Sequence, residues 1–215
     1  MQKAGWLFSC ALLVGQLQGA TFYVTRKGRK SDISRARRLG VHLAQETTFQ
    51  AFWEHVLVPQ LARRYGVQPV HTLDEITLLA SRFPDNIKQF SAYCGDEIVA
   101  GATIYETANV AHAQYAAVSD YGRRLGAQAF LFGWLMDEYY KDKRFFDFGI
   151  SNEHNGRALN HGLLDWKKGF GGRSYVQDSY EVCPENYVQL EPALRSGLHN
   201  GINQPAQNCA VAVGA

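Results

Sequence analysis

Apolar residues recur along this chain in two rhythms, one of period two and one of period 3.6, and the changes between them mark its elements. Between residues 46 and 65, Phe49, Phe52, Trp53, Val56, Leu57 and Leu61 form a helical stripe that Pro59 must kink or restart, with Thr47 or Thr48 as candidate cap. Thr72-Leu-Asp-Glu75 spells a capping box for a helix reaching about Phe83, and Pro84 stops it. Residues 87–94, 97–106 and 110–119 then read as three strands, joined by a Gly95-Asp96 hairpin and a turn at 107–109. Simple alternation in the third strand places Tyr115 with Ala111, Ala113 and Ala117, and His112 and Gln114 with Ala116 and Val118. A face built mostly of alanine leaves room for a ligand or for a closely packed helix.

Ser119-Asp120 caps a long helix predicted over 121–141, whose apolar residues spread around much of its circumference and so predict burial. Phe145, Phe146, Phe148 and Ile150, interrupted only by Asp147 and Gly149, predict a central strand covered on both faces. A polar turn from Ser151 to Gly156 follows, then a helical stripe of Leu159, Leu163, Trp166 and Phe170 ended by Gly169, Gly171 and Gly172. Residues 174–182 read as a last strand, and from 183 onward the pattern decays into a tail, with a short helix read at 186–198 and disorder expected over 199–215. After the leading helices the order is β-β-β-α-β-α-β. A helical crossover makes the strand at Phe145 parallel to the one at Val110, which gives an α/β fold with a mixed sheet and a cleft where the two strands part.

Composition changes this picture little. The chain has 215 residues, 46% of them hydrophobic, enough for one domain with a full core. A formal charge of +2 gives no whole-molecule field that demands a polyanion. The strongly basic run at residues 26–38 is either a solvated helix, capped at Ser31 or Asp32 and ended at Gly40, or a site for an anionic partner. Cys10, Cys94, Cys183 and Cys209 form no paired motif, so reduced thiols and no metal site are expected. No apolar run is long enough to span a bilayer. Lys3 and the apolar residues 4–14 resemble a secretory signal, yet a cut after Ala20 or Gly19 leaves Gln18 or Leu17 where a small residue is wanted. Three segments result: residues 1–25 as an upstream remnant or signal-like piece, 26–182 as the domain, and 183–215 as the tail. A cytoplasmic protein is expected, with a secreted one as the alternative.

Several stretches carry a resemblance: Pro69-Val-His-Thr72, Phe83-Pro-Asp-Asn-Ile87, Val99-Ala-Gly101, His112-Ala-Gln-Tyr-Ala116, Phe146-Asp-Phe-Gly149, and Leu159-Asn-His-Gly-Leu163 with Lys167 and Phe170-Gly171. Together with the element order they resemble the GNAT (acyl-CoA N-acyltransferase) fold, in the branch of the Fem-type peptidyltransferases and related bacterial acetyltransferase domains. The chain is similar to the C-terminal lobe of a tandem pair. The resemblance implies transfer of an acetyl, acyl or aminoacyl group to an amine, in cell-envelope, polysaccharide or peptidoglycan metabolism. The donor it implies is acyl-CoA or acetyl-CoA, or else aminoacyl-tRNA, and the acceptor a small molecule or cell-wall precursor. The resemblance also implies a partner lobe or a homodimer that completes the site. Of the family's pyrophosphate signature, Arg123 and Gly126 are present, while Gln128 stands where a small residue is usual.

Acyl transfer to an amine requires a held carbonyl, a path for the amine proton and a donor to the developing oxyanion, with no covalent enzyme intermediate. The candidate catalytic residues are Glu153 and His154 in the polar turn, Tyr115 as donor to an oxyanion or leaving group, and Glu106 at a strand end. Val118, Gly122, Arg123, Arg124 and Gly126 form the candidate donor-binding set at a helix start. His112, Asn160 and Lys167 are candidates for binding substrate; Asn160 and Lys167 lie seven residues apart, on one helix face. Asp147 requires a partner within its strand, and a structural role is expected for it. The alternative function is a lobe without catalysis that binds tRNA, a nucleotide-linked precursor or a membrane surface through residues 26–38.

Overall fold

The computed structural model describes residues 7–15, 27–154 and 157–179. The cleavage region at 17–20, the end of the last predicted strand and the tail lie outside them. Residues Leu7–Asp178 form one compact unit. Its centre is a seven-stranded sheet in the order β2-β3-β4-β5-β6-β1-β9, with β1 Leu7–Gly15, β2 Val41–Glu46, β3 Ile87–Cys94, β4 Glu97–Glu106, β5 Val110–Val118, β6 Phe145–Ile150 and β9 Arg173–Ser179. The β3–β4–β5 meander is antiparallel and β5 runs parallel to β6, as the crossover rule requires. β2 extends the meander by pairing antiparallel with β3, and β1 pairs antiparallel with β6.

Helices cover both faces. On one side lie α1 (Lys27–Arg38), α5 (Asp120–Leu125), α6 (Ala127–Trp134) and α7 (His161–Lys168). There Phe132 of α6 packs with Phe146 and Phe148 of β6 and with Trp166 and Phe170 around α7. The basic helix α1 is anchored by Ala36, fully buried, and by Ile33. On the other side α2 (Gln50–Phe52), a π-helical turn at Trp53–Leu57 and α3 (Val58–Tyr65) run on as one helix, followed by α4 (Leu73–Arg82). The π turn falls just before Pro59, whose ring removes the N–H that an α-helical turn would use. Neither threonine before α2 caps it; Phe49 occupies that position and makes no side-chain cap bond.

The long helix predicted over 121–141 is broken at Gly126, which has φ 82° and ends α5 before α6 begins. Only there does the chain take a left-handed residue inside the crossover, and a side chain at Gly126 would collide with the Asp32 carbonyl of α1. The segment closes with a π-helical turn, Leu135–Tyr139. The polar turn after β6 holds a small hairpin, β7 Asn152–Glu153 with β8 Ala158–Leu159. Of the three glycines after α7, Gly171 alone has positive φ, 85°, and Gly169 stays right-handed.

Candidate active site

The parallel ladder between β5 and β6 has three rungs, Val110–Phe145, Ala111–Phe146 and His112–Asp147. Beyond them β5 runs on to Val118 without pairing to β6, so the β6-facing backbone groups of residues 113–118 have no strand partner among the described residues. A cleft of about 530 Å³ fills the opening. Its walls come from β5 (Ala113, Gln114, Ala116), β6 (Phe148, Ile150), α3 (Leu61, Arg64) and α7 (Leu163, Trp166).

The register of β5 slips where it faces β4: Thr103 opposes Tyr115 but Ile104 opposes Ala113. Gln114 is thus a bulged extra residue, and a bulge reverses the faces beyond it. Ala111 and Ala113 pack with the α6 side, while Tyr115 and Ala117 turn to the α2–α3 side. Tyr115 is accordingly absent from the cleft wall. Its hydroxyl accepts the His71 backbone N–H at 3.1 Å and shares a 2.5 Å hydrogen bond with His71 Nδ1, while its ring meets Trp53 edge-on. Burial raises its pKa.

Among the ionisable groups on the cleft wall are the cations Arg64, Arg123 and Lys167. Arg63 and Arg64 of α3 both meet Asp120, at 2.5 and 3.5 Å. The hydrogen bond from Arg63 pulls the Asp120 carboxyl down to about 2. The Arg123 side chain makes no hydrogen bond or ion pair among the described residues, and burial together with the like charge of Arg64 lowers its pKa. Two guanidinium groups, from α3 and α5, therefore border one space. Lys167 is almost fully buried and donates to the carbonyls of Gly149, at 3.0 Å, and Ile150, at 2.6 Å, which pins the splayed end of β6.

Four of the residues singled out from sequence line the cleft: Val118, Arg123, Asn160 and Lys167. Asn160 caps α7 through Leu163 N–H and donates to Glu153 at 2.7 Å, so Glu153 reaches the wall only through it. Glu153 and His154 are exposed, the latter with φ 52°. Gly122 is buried so close to the Val99 carbonyl that a side chain there would strike it, and Arg124 turns away to lie over the Tyr121 ring. Glu106 sits at the far end of β4, buried, and bridges Lys88 and Lys143. His112 faces the α4 side and pairs with Asp147 at 2.8 Å. The α3 wall, with Gln60, Leu61, Arg64 and Tyr65, carried no site signal in the sequence, since a helix stripe reports what is inward and not what it flanks.

A family model of the acetyltransferase (GNAT) domain matches residues 23–168. The chain belongs to this acetyltransferase (GNAT) family. Solved structures share the fold. FemX matches with a TM-score of 0.64 at 11% identity, over 83% of this chain and 63% of that one. The C-terminal domain of a putative lysylphosphatidylglycerol synthetase from Agrobacterium fabrum gives 0.56 at 16%, over 89% and 65%. L-PGS from Bacillus licheniformis gives 0.55 at 18%, over 89% and 66%. The chain thus spans less than two thirds of the length of each. No curated protein sequence matches it. By its family model this mixed-sheet domain belongs with the GNAT acetyltransferases, and no helix among its described residues is long and apolar enough to cross a membrane.

Proposed function

We propose that this GNAT domain transfers an acyl or aminoacyl group to an amine, with the donor seated between β5 and β6. The parting of the strands after His112 and Asp147 carries the reading, because it turns an ordinary sheet into a lined slot with unused backbone donors. Those N–H groups are fixed by the sheet and suited to the oxyanion that forms as nitrogen attacks the carbonyl. Arg64 and Arg123 would hold the phosphates of the donor, whether acyl-CoA or a charged tRNA. The acceptor is a small molecule or cell-wall precursor bearing an amine, and a partner lobe or second copy would complete its site. Likeness to a protein named lysylphosphatidylglycerol synthetase supports an aminoacyl donor and envelope chemistry.

Ala116 gives a direct test, being exposed and on the cleft wall. In calorimetric titrations the chain is expected to bind acetyl-CoA or lysyl-tRNA, and Ala116→Trp to abolish that binding with the fold intact. Binding that survives the tryptophan moves the donor elsewhere. A second reading, a lobe without catalysis that holds an anionic partner, draws on α1, whose Lys27, Lys30, Arg37 and Arg38 are all exposed. Polyanion binding with no donor in the cleft would favour it.

A further inference from the structure

The base of the slot is a single rung whose side chains the donor reading leaves idle. His112 and Asp147 are the last register partners before the strands part. Asp147 accepts the Gly149 N–H on Oδ1 at 2.7 Å and faces His112 Nδ1 with Oδ2 at 2.8 Å. Burial would raise its pKa, but the His112 and Gly149 hydrogen bonds and the charges of His112 and Lys167 outweigh that and lower it. An ionised carboxylate can only accept, so the proton of the neutral imidazole sits on Nδ1 and the lone pair on Nε2. Nε2 lies 3.2 Å from Gln114 Oε1; with the proton on Nδ1, the Gln114 amide must turn over and present its NH₂ to that lone pair. Gln114 is the bulged residue and lines the donor cleft.

On its other side His112 borders a second cavity of about 430 Å³, walled by Leu79, Phe83, Ile87, Tyr105 and Val110 beneath α4. The walls are mainly apolar, with Asn86, Glu106 and Thr107 also lining them, and the buried Tyr105 hydroxyl there has no hydrogen-bond partner. An imidazole held in one tautomer therefore stands between an apolar groove and the slot.

We propose that His112, oriented by Asp147, takes the proton from the acceptor amine, and that the groove holds the acceptor by an apolar body. This rests on the acyl-transfer reading above. The amine nitrogen bonds to the acyl carbon, its proton passes to Nε2, and the bond from that carbon to the donor oxygen or sulfur breaks. The leaving atom recovers the proton from the imidazolium, so His112 ends neutral. The charged groups facing His112 are Asp147 from β6, Lys167 from α7 through Asp147, and Glu106 along the groove, the last already bridged to Lys88 and Lys143.

Nitrogen-detected NMR of histidine-labelled full chain, titrated with 2-phenylethylamine as probe, tests this without turnover. The neutral ring of His112 is expected as the Nδ1–H tautomer, its signals shift with the amine, and exposed Phe83→Ala weakens that binding about tenfold. An Nε2–H tautomer, or ring signals that the amine leaves unmoved, overturns the proposal. With acetyl-CoA or lysyl-tRNA as donor, His112→Gln should lower kcat about 100-fold, in the range of general-base effects, leave donor Kd unchanged and remove the acid limb of the kcat–pH profile. Asp147→Asn, with the imidazole retained but unheld, should give a smaller loss and a moved midpoint. Turnover within twofold of wild type in His112→Gln overturns the proposal, whereas failure of the wild type to bind either donor sinks the acyl-transfer reading and leaves the NMR result to judge the groove.

Discussion

Asp147 shows what a single residue contributes beyond its own strand. A carboxylate inside a sheet must be fully hydrogen-bonded, and here one oxygen goes to Gly149 and the other to His112. Its pKa lies below the ordinary value, so the stabilisation is present above about 4 and is lost as pH falls through the lower folded value. Asp147→Asn should therefore flatten the fall of Tm in melts taken between pH 5 and 3. An acid limb as steep as wild type would show that the carboxylate stays paired when unfolded or is unpaired when folded. The need for a partner was readable in the sequence, because a lone acid in an apolar run has few other solutions. Its identity was not, since His112 lies 35 residues away and meets it only through the parallel register. Tyr115 shows the reverse case: alternation put it with Ala113, and one inserted residue at 114 turned it to the opposite face. Nothing in a period-two pattern announces a bulge.

At the scale of elements, local chemistry was legible wherever it closed on itself within a few residues. The capping box before α4 is complete: Glu75 N–H donates to Thr72 Oγ1 at 3.2 Å, and Thr72 N–H to Glu75 Oε2 at 2.8 Å. The backbone bond from Thr72 lowers the Glu75 pKa. Because α4 supplies Leu79 and leads into Phe83, its start sets one wall of the groove over His112. Thr72→Ala should cost about 1 kcal/mol in urea unfolding, as cap deletions do, with hydrogen exchange rising first at residues 73–76. Loss of under a few tenths would mean that packing of Ile76, not the cap, fixes the helix start. The meander, the Ser119 cap and the strand at Phe145 were read for the same reason. β2 escaped notice because it is an edge strand in which His42, Gln45 and Glu46 interrupt any alternation. The break at Gly126 escaped it because the apolar spacing continues across the break, and only contact with α1 demands it.

For the whole molecule, the consequential feature is that β6 is interior. It is flanked by β5 on one side and β1 on the other, with rungs from Ala11–Ile150 to Gly15–Phe145. The β5 side opens into the cleft after three rungs, and of the β1 rungs only Ala11–Ile150 reaches the splayed end of β6. Lys167 supplies the remaining restraint from α7. Sequence alone placed the segment before residue 25 outside the domain, because its pairing partner lies some 130 residues further on and no local signal reports a partner at that separation. A chain of residues 21–215 lacks β1 and should expose the edge of β6, a template for pairing with another chain. Its Tm should fall by several degrees and its scattering mass should rise with concentration, whereas residues 1–215 keep both constant. Donor affinity should fall with stability, because the wall formed by Phe148 and Ile150 belongs to the same strand. An unchanged melt and mass for 21–215 would show that β6 keeps its place through β5 and Lys167 alone, and that the cleft survives without its outer neighbour.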